Sequence, residues 1–284
     1  MGPQAAIAAL VALAVWWSAT GAILYAVRRA DRAGGVAHGM AAFCAVPLLA
    51  LGVAMVAVSA PGAGLGHVYA AFLGALAVWG WIELAFLLGV VAGPERRPAR
   101  PGLAGWPRFA RAWATVAHHE LALLGGFVAV AALTHGAPNR VAAWTYGILF
   151  AARITAKLNL FLGVPRINVE FLPRRLAHLA GYFRCAPPTP FYALTVAALA
   201  GATAWLATDV ATAATLPETV AASLLAALAA LALVEHALMV LPLPDARLWR
   251  WMLPERGLET IPQGARHAPT HHHDDISRGR RHGL

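Results

Sequence analysis

Seven mainly apolar runs, at about 5–27, 36–58, 67–92, 113–134, 141–163, 190–211 and 220–242, constrain this chain more than any motif in it. The hydrocarbon core of a bilayer is roughly 30 Å thick and a helical residue rises about 1.5 Å, so about 20 such residues cross it. The runs therefore predict an all-α, polytopic membrane bundle of seven helices. Composition agrees: 60% of the 284 residues are hydrophobic and 12% are charged, about half the charged share of a soluble domain. A polar surface large enough for water is missing. The first run lacks a preceding basic residue and a small-residue cleavage pattern, so it is expected to be a retained anchor, with the mature chain starting at Met1.

Basic residues set the expected orientation. Arg28, Arg29 and Arg32 follow the first run, five arginines follow the third, Arg166, Arg174, Arg175 and Arg184 follow the fifth, and seven lie in the tail. The loops between them carry Arg140 alone. Because Lys and Arg collect on the cytoplasmic side, this alternation predicts the amino terminus outside and the carboxyl terminus inside. The net charge of +9 thus reads as a topology signal, and no nucleic-acid partner is expected. The partner expected of every apolar run is membrane lipid. Cys44 and Cys185 are too few and too far apart for a disulfide framework or a thiolate metal site.

Residues 1–242 form the expected transmembrane domain. Within it, 164–184 carries Leu172, Leu176, Leu179 and Phe183 between basic residues, the spacing of a short amphipathic helix at the cytoplasmic interface. The alternative is a connector helix covering the bundle floor. The segment 243–284 reads as a cytoplasmic tail: Trp249 and Trp251 suit an interfacial belt, and beyond about 262 its composition predicts disorder. The run from His271 to Asp275 reads as part of that end and not as a metal site.

Ionisable residues inside spanning helices cost at least about 2.5 kcal/mol on insertion scales, so each calls for a partner or a function. Glu83, His118, His119, Glu120, Arg153, Lys157, Asn159, Glu235 and His236 all lie within runs. Helical rise places Glu83, His119 and Glu235 about 9–13 Å from the cytoplasmic ends of their spans, at one level. The loop after the fifth run adds Asn168, Glu170 and His178. Carboxylates and imidazoles inside a bundle are the ingredients of a di-iron carboxylate site. The candidate ligands are Glu83, His119, Glu120, Glu170, Glu235 and His236. Their spacing lacks the Glu-x-x-His pattern, because His119-Glu120 and Glu235-His236 are sequence neighbours about 100° apart around a helix. One member of each pair is expected to enter the cluster while the other finds a partner such as Lys157, Arg153 or Asn159. Three readings stay open: a self-satisfied salt-bridge network, a non-haem iron site, and ligation of a pigment such as bacteriochlorophyll by a histidine. No phosphate loop, dinucleotide fingerprint or Ser-His-Asp spacing is present.

Trp79-Gly80-Trp81 with Glu83 and Phe86-Leu87, His118-His119-Glu120, the run from Lys157 to Pro165, Glu170-Phe171-Leu172-Pro173, and Glu235-His236 with the segment from Leu241 to Asp245 and Leu248-Trp249 together resemble the PuhE family. These are photosynthetic complex assembly proteins of purple phototrophic bacteria. The resemblance covers runs three to seven. Where Ile82 stands the family pattern has a polar residue, commonly His, and it is more polar or acidic near Arg166 and Val169. The resemblance implies a protein of the bacterial inner membrane, cytoplasmic or intracytoplasmic. It implies association with the gene for the reaction-centre H subunit and a requirement in assembly of the reaction centre and its core antenna. Reaction-centre subunits, core-antenna subunits or other assembly factors are then the expected partners. The alternative from the residues is a membrane-bound di-iron oxidoreductase acting on a pigment or its precursor.

Overall fold

The computed structural model describes residues 2–169 and 172–241, and these form an all-helical structure without named strands. The helices are α1 (Pro3–Ala33), α2 (Ala37–Cys44), α3 (Val46–Ser59), α4 (Leu65–Leu87), α5 (Gly105–Leu133), α6 (Val141–Leu162), α7 (Pro190–Thr212) and α8 (Leu216–Leu238). A 3-10 segment, Arg174–Tyr182, lies between α6 and α7. The expected tail, 243–284, lies outside the described residues.

Six stretches are long and apolar enough to cross a membrane: α1, α2 with α3, α4, α5, α7 and α8. The second expected run is broken in two, because Pro47 near the start of α3 has no N–H for the helical ladder. At the break, the Trp81 indole of α4 donates to the Ala42 carbonyl at 3.1 Å. The fifth expected run, α6, falls outside the apolar set. It is 22 residues long, but Arg153 and Lys157 lower its hydropathy. It packs against α4, α5 and α8 in the same bundle.

Helix α4 is the centre. Val68, Phe72, Ala75 and Val78 are buried among Leu123 of α5, Tyr146 of α6 and Leu224 and Leu228 of α8. In lipid, where apolar side chains gain little by leaving solvent, close backbone approach between small residues does much of this work. Helices α3 and α4 cross at Gly52 and Gly74: a Cβ on Gly52 would lie 2.9 Å from the Gly74 carbonyl oxygen, and a Cβ on Gly74 would lie 2.9 Å from that of Gly52. Helix α1 presents Ala5, Ala8 and Ala12, all buried, to the bundle at helical spacing.

A buried or half-buried side chain ties helices together at each end of the bundle. At the end opposite the arginine-rich loops, buried Asn139 donates through Nδ2 to the carbonyls of Ser59 (3.1 Å) and His67 (3.0 Å) and accepts from the Val141 N–H (3.1 Å). One amide thereby ties together the end of α3, the start of α4 and the start of α6. Asn139→Leu should lower stability by about 2 kcal/mol, as water at the bundle end relieves part of the ~1–3 kcal/mol that each stranded backbone group costs. Thermal unfolding in detergent measures it. At the arginine-rich end, Arg108 of α5 donates to the Phe161 carbonyl in the last turn of α6 (3.2 Å) and to the Tyr182 carbonyl (2.7 Å). Its guanidinium carbon lies 4.1 Å from the centroid of the Phe161 ring.

The 3-10 segment closes that same end. Leu176, Leu179 and Tyr182 are buried, and the two leucines pack with Phe86 and Ala92. Leu172 and Phe183 pack against the same group.

Candidate functional site

Arg153 and Lys157 are one helical turn apart on α6, so both project from the same face. That face meets the acids of α4 and α5. Arg153 Nη2 donates to Glu83 Oε2 at 2.7 Å. Lys157 Nζ lies between the Glu120 carboxylate, which it contacts closely, and His119 Nδ1 at 2.7 Å. An ammonium has donors only, so Nδ1 must accept and the neutral imidazole carries its proton on Nε2. That Nε2 faces Glu83 Oε1 at 3.5 Å, just beyond hydrogen-bond contact. The result is a relay of alternating partners, Glu120, Lys157, His119, Glu83 and Arg153, whose charges sum to zero.

Packing holds the relay in place. The His119 ring is fully buried and stacks on Phe86, with centroids 4.0 Å apart and an interplanar angle of 23°. Lys157 Nζ lies 5.3 Å from the centroid of the Phe86 ring. The connection between α4 and α5 adds a backbone constraint, since the His119 N–H donates to the Ala92 carbonyl (3.0 Å) and the Glu95 N–H donates to the Ala114 carbonyl (3.2 Å). Gly93 passes directly against α5, where a side chain would collide with its backbone at Ala114 and Thr115.

Both members of the first adjacent pair, His119 and Glu120, thus enter the cluster, because Lys157 reaches between them. The second pair divides differently. His236 is buried and bonded through Nδ1 to the Ala232 carbonyl of its own helix (2.8 Å), with Nε2 3.1 Å from the Thr155 hydroxyl of α6. Glu235 is exposed, takes a hydrogen bond from the Trp16 side chain of α1 and lies within electrostatic reach of Arg153 and Glu83. His118 is exposed, a consequence of its 100° offset from His119. Asn159 is fully buried, and neither of its amide atoms has a hydrogen-bond partner among the described residues. Glu170 lies outside the described residues.

Histidine 178 lies in the 3-10 segment. Burial, and secondarily the neighbouring Arg96, push its imidazole below the ordinary histidine range. The folded state therefore binds fewer protons here than the unfolded chain, so stability at this site rises with pH and is lost as pH falls through the unfolded value of about 6.5. Hydrogen-exchange protection of residues 176–182 should decline between pH 7.5 and 5.5, and His178→Gln should flatten that decline. Unchanged pH dependence in the variant would show that other groups govern the segment.

The family model for proteins of unknown function designated DUF3623 matches residues 3–260. The chain belongs to this family. An uncharacterized 30.4 kDa protein in the puhA 5' region of Rhodobacter capsulatus is 46% identical over 255 residues, covering 89% of this chain and 93% of that protein. No solved structure matches the chain.

The relay residues of this DUF3623 member do not fit an iron centre as they stand. The ammonium of Lys157 and the guanidinium of Arg153 already engage one oxygen of each carboxylate, on Glu120 and Glu83, and the His119 Nδ1 lone pair. Among the described residues no three His, Cys, Asp or Glu side chains converge on a common point. What the arrangement does is hold α4, α5 and α6 in one register, since either cation would be left unpaired by a shift of one residue. The fasteners Asn139 and Arg108 and the close approach at Gly93 escaped the sequence reading. Their partners are backbone carbonyls, which leave no mark in a sequence.

Proposed function

We propose that this protein is an integral membrane factor for assembly of the photosynthetic reaction centre and its core antenna. The observation that carries the proposal is its 46% identity to the Rhodobacter capsulatus protein of the puhA 5' region. The resemblance of the segments around Glu83, His119, Lys157 and Glu235 to assembly proteins found beside the reaction-centre H-subunit gene points the same way. In this reading the protein resides in the bacterial inner membrane. Helix α6 is the seventh span, carried across by the ion pairs of Arg153 and Lys157 with acids on α4 and α5. The arginine-rich loops face the cytoplasm, which puts the amino terminus outside and the carboxyl terminus inside.

The chemistry is that of a scaffold. A neutral, internally paired relay leaves the outer helix surfaces to meet subunits of the growing complex, and the basic loops meet their cytoplasmic segments. A tagged full-length protein, purified from gently solubilised membranes of its phototrophic host, should bring down reaction-centre or core-antenna subunits or their assembly partners. Deletion of its gene should reduce the near-infrared absorption of the core complex in intact membranes. Recovery of the protein alone in repeated purifications, with core absorption unchanged in the deletion strain, would refute the proposal.

A further inference from the structure

At the end of the bundle opposite the arginine-rich loops, the start of α6, the end of α7 and the start of α8 enclose an open wedge of about 500 Å³. Its polarity changes in one direction on all three helices. Arg140, Asp209 and Glu218 stand at the rim, while Trp144, Trp205 and Leu225 line it further in. Four residues separate Arg140 from Trp144 and Trp205 from Asp209, about 6 Å of helical rise. The two tryptophans meet edge to face, with centroids 5.9 Å apart. A charged rim over an aromatic and aliphatic floor one to two helical turns away is the profile of an amphiphile's head and upper chain.

The rim charges indicate which head. Glu218 is engaged by its own helix, where its carboxylate accepts from the N–H groups of Ala214 (3.0 Å) and Thr215 (3.2 Å). The ion pairs among the described residues lie elsewhere, so Arg140 and Asp209 line the same wedge without pairing with each other. One cation and one anion are therefore left facing a shared space. We infer that the wedge between α6, α7 and α8 binds a zwitterionic phospholipid with a primary ammonium, of the phosphatidylethanolamine type. Arg140 takes the phosphate, Asp209 takes the ammonium, and the Trp144–Trp205 pair receives the glycerol and the upper acyl chain. An anionic headgroup would bring its phosphate against two carboxylates with no ammonium to offset them. A trimethylammonium headgroup offers Asp209 no N–H to accept.

The test uses the full chain in dodecyl maltoside, stripped of lipid and titrated separately with palmitoyl-oleoyl phosphatidylethanolamine, phosphatidylglycerol and phosphatidylcholine. Native mass spectrometry counts bound lipid. One phosphatidylethanolamine per chain should bind about tenfold more tightly than either competitor, the difference of about one hydrogen-bonded charge contact. Arg140→Gln should abolish that preference, and Asp209→Asn should shift it toward phosphatidylglycerol. Equal binding of the three lipids by the unaltered chain overturns the inference, as do variants that retain the full preference. Should a variant fail to fold, phosphatidylethanolamine brominated near the headgroup still decides by quenching the tryptophan fluorescence of the unaltered chain more than brominated phosphatidylglycerol does. Equal quenching overturns the inference.

Discussion

Lys157→Met should destabilise the protein by about 3–5 kcal/mol, the cost of removing one partner from a buried ion pair and leaving the other charge uncompensated. The Glu120 carboxylate and His119 Nδ1 would both lose their donor. Glu120 is buried beside a stacked aromatic and imidazole pair, where little water can replace it. Unfolding in detergent, followed by circular dichroism, measures the loss. The double variant Lys157→Met with Glu120→Gln should recover a substantial part of it, because the uncompensated charge is then gone, and the cycle of four proteins isolates the pair. A single variant that melts like the unaltered protein would remove the relay from any account of stability.

Gly93→Ala should have an effect of similar size from a different cause. The new Cβ would strike the Ala114 carbonyl oxygen and lie 2.7 Å from that of Thr115. These are backbone atoms, and no side chain can turn aside to admit it. Overpacking of this kind costs about 1–3 kcal/mol and more where the backbone must move. Relief requires the Ala92–Glu95 strand of chain to lift from α5, which breaks the backbone hydrogen bonds at His119 and Glu95. Hydrogen exchange at His119 should then accelerate along with the fall in melting temperature. A normal melting temperature with normal protection at His119 would contradict the geometry.

Much of the bundle was legible because lipid imposes a one-dimensional rule. A run of apolar residues has few alternatives to a helix in hydrocarbon, and the expected second, sixth and seventh runs fall within a few residues of α2 with α3, α7 and α8. Ends were less legible. Helix α5 begins at Gly105, eight residues before the expected Trp113, since Trp106 and Arg108 suit a helix emerging through the interface although they break an apolar count. Proline 47 marked a break that the count ignored. Helical rise put Glu83 and His119 at one level, and in the structure their side chains approach to 3.5 Å. Rotation around each helix depends on neighbours, which is why the joint entry of His119 and Glu120 waited on knowing where Lys157 reached. The partner of Glu235 was equally hidden from the sequence, because it is a tryptophan on α1.

The distribution of charge over α4, α5 and α6 also bears on how the chain is made. Glu83 and Glu120 precede Arg153 and Lys157 in the chain, so the acids leave the ribosome before the bases that neutralise them. Helix α6 carries two cations, and both find their counter-charges on helices that precede it in the chain. If α6 is the seventh span, its insertion is a templated event: the translocon would release α4 and α5 but retain them nearby until α6 emerges. The ion pairs would then act first as an instruction for the order of biogenesis, and only afterwards as part of the finished fold.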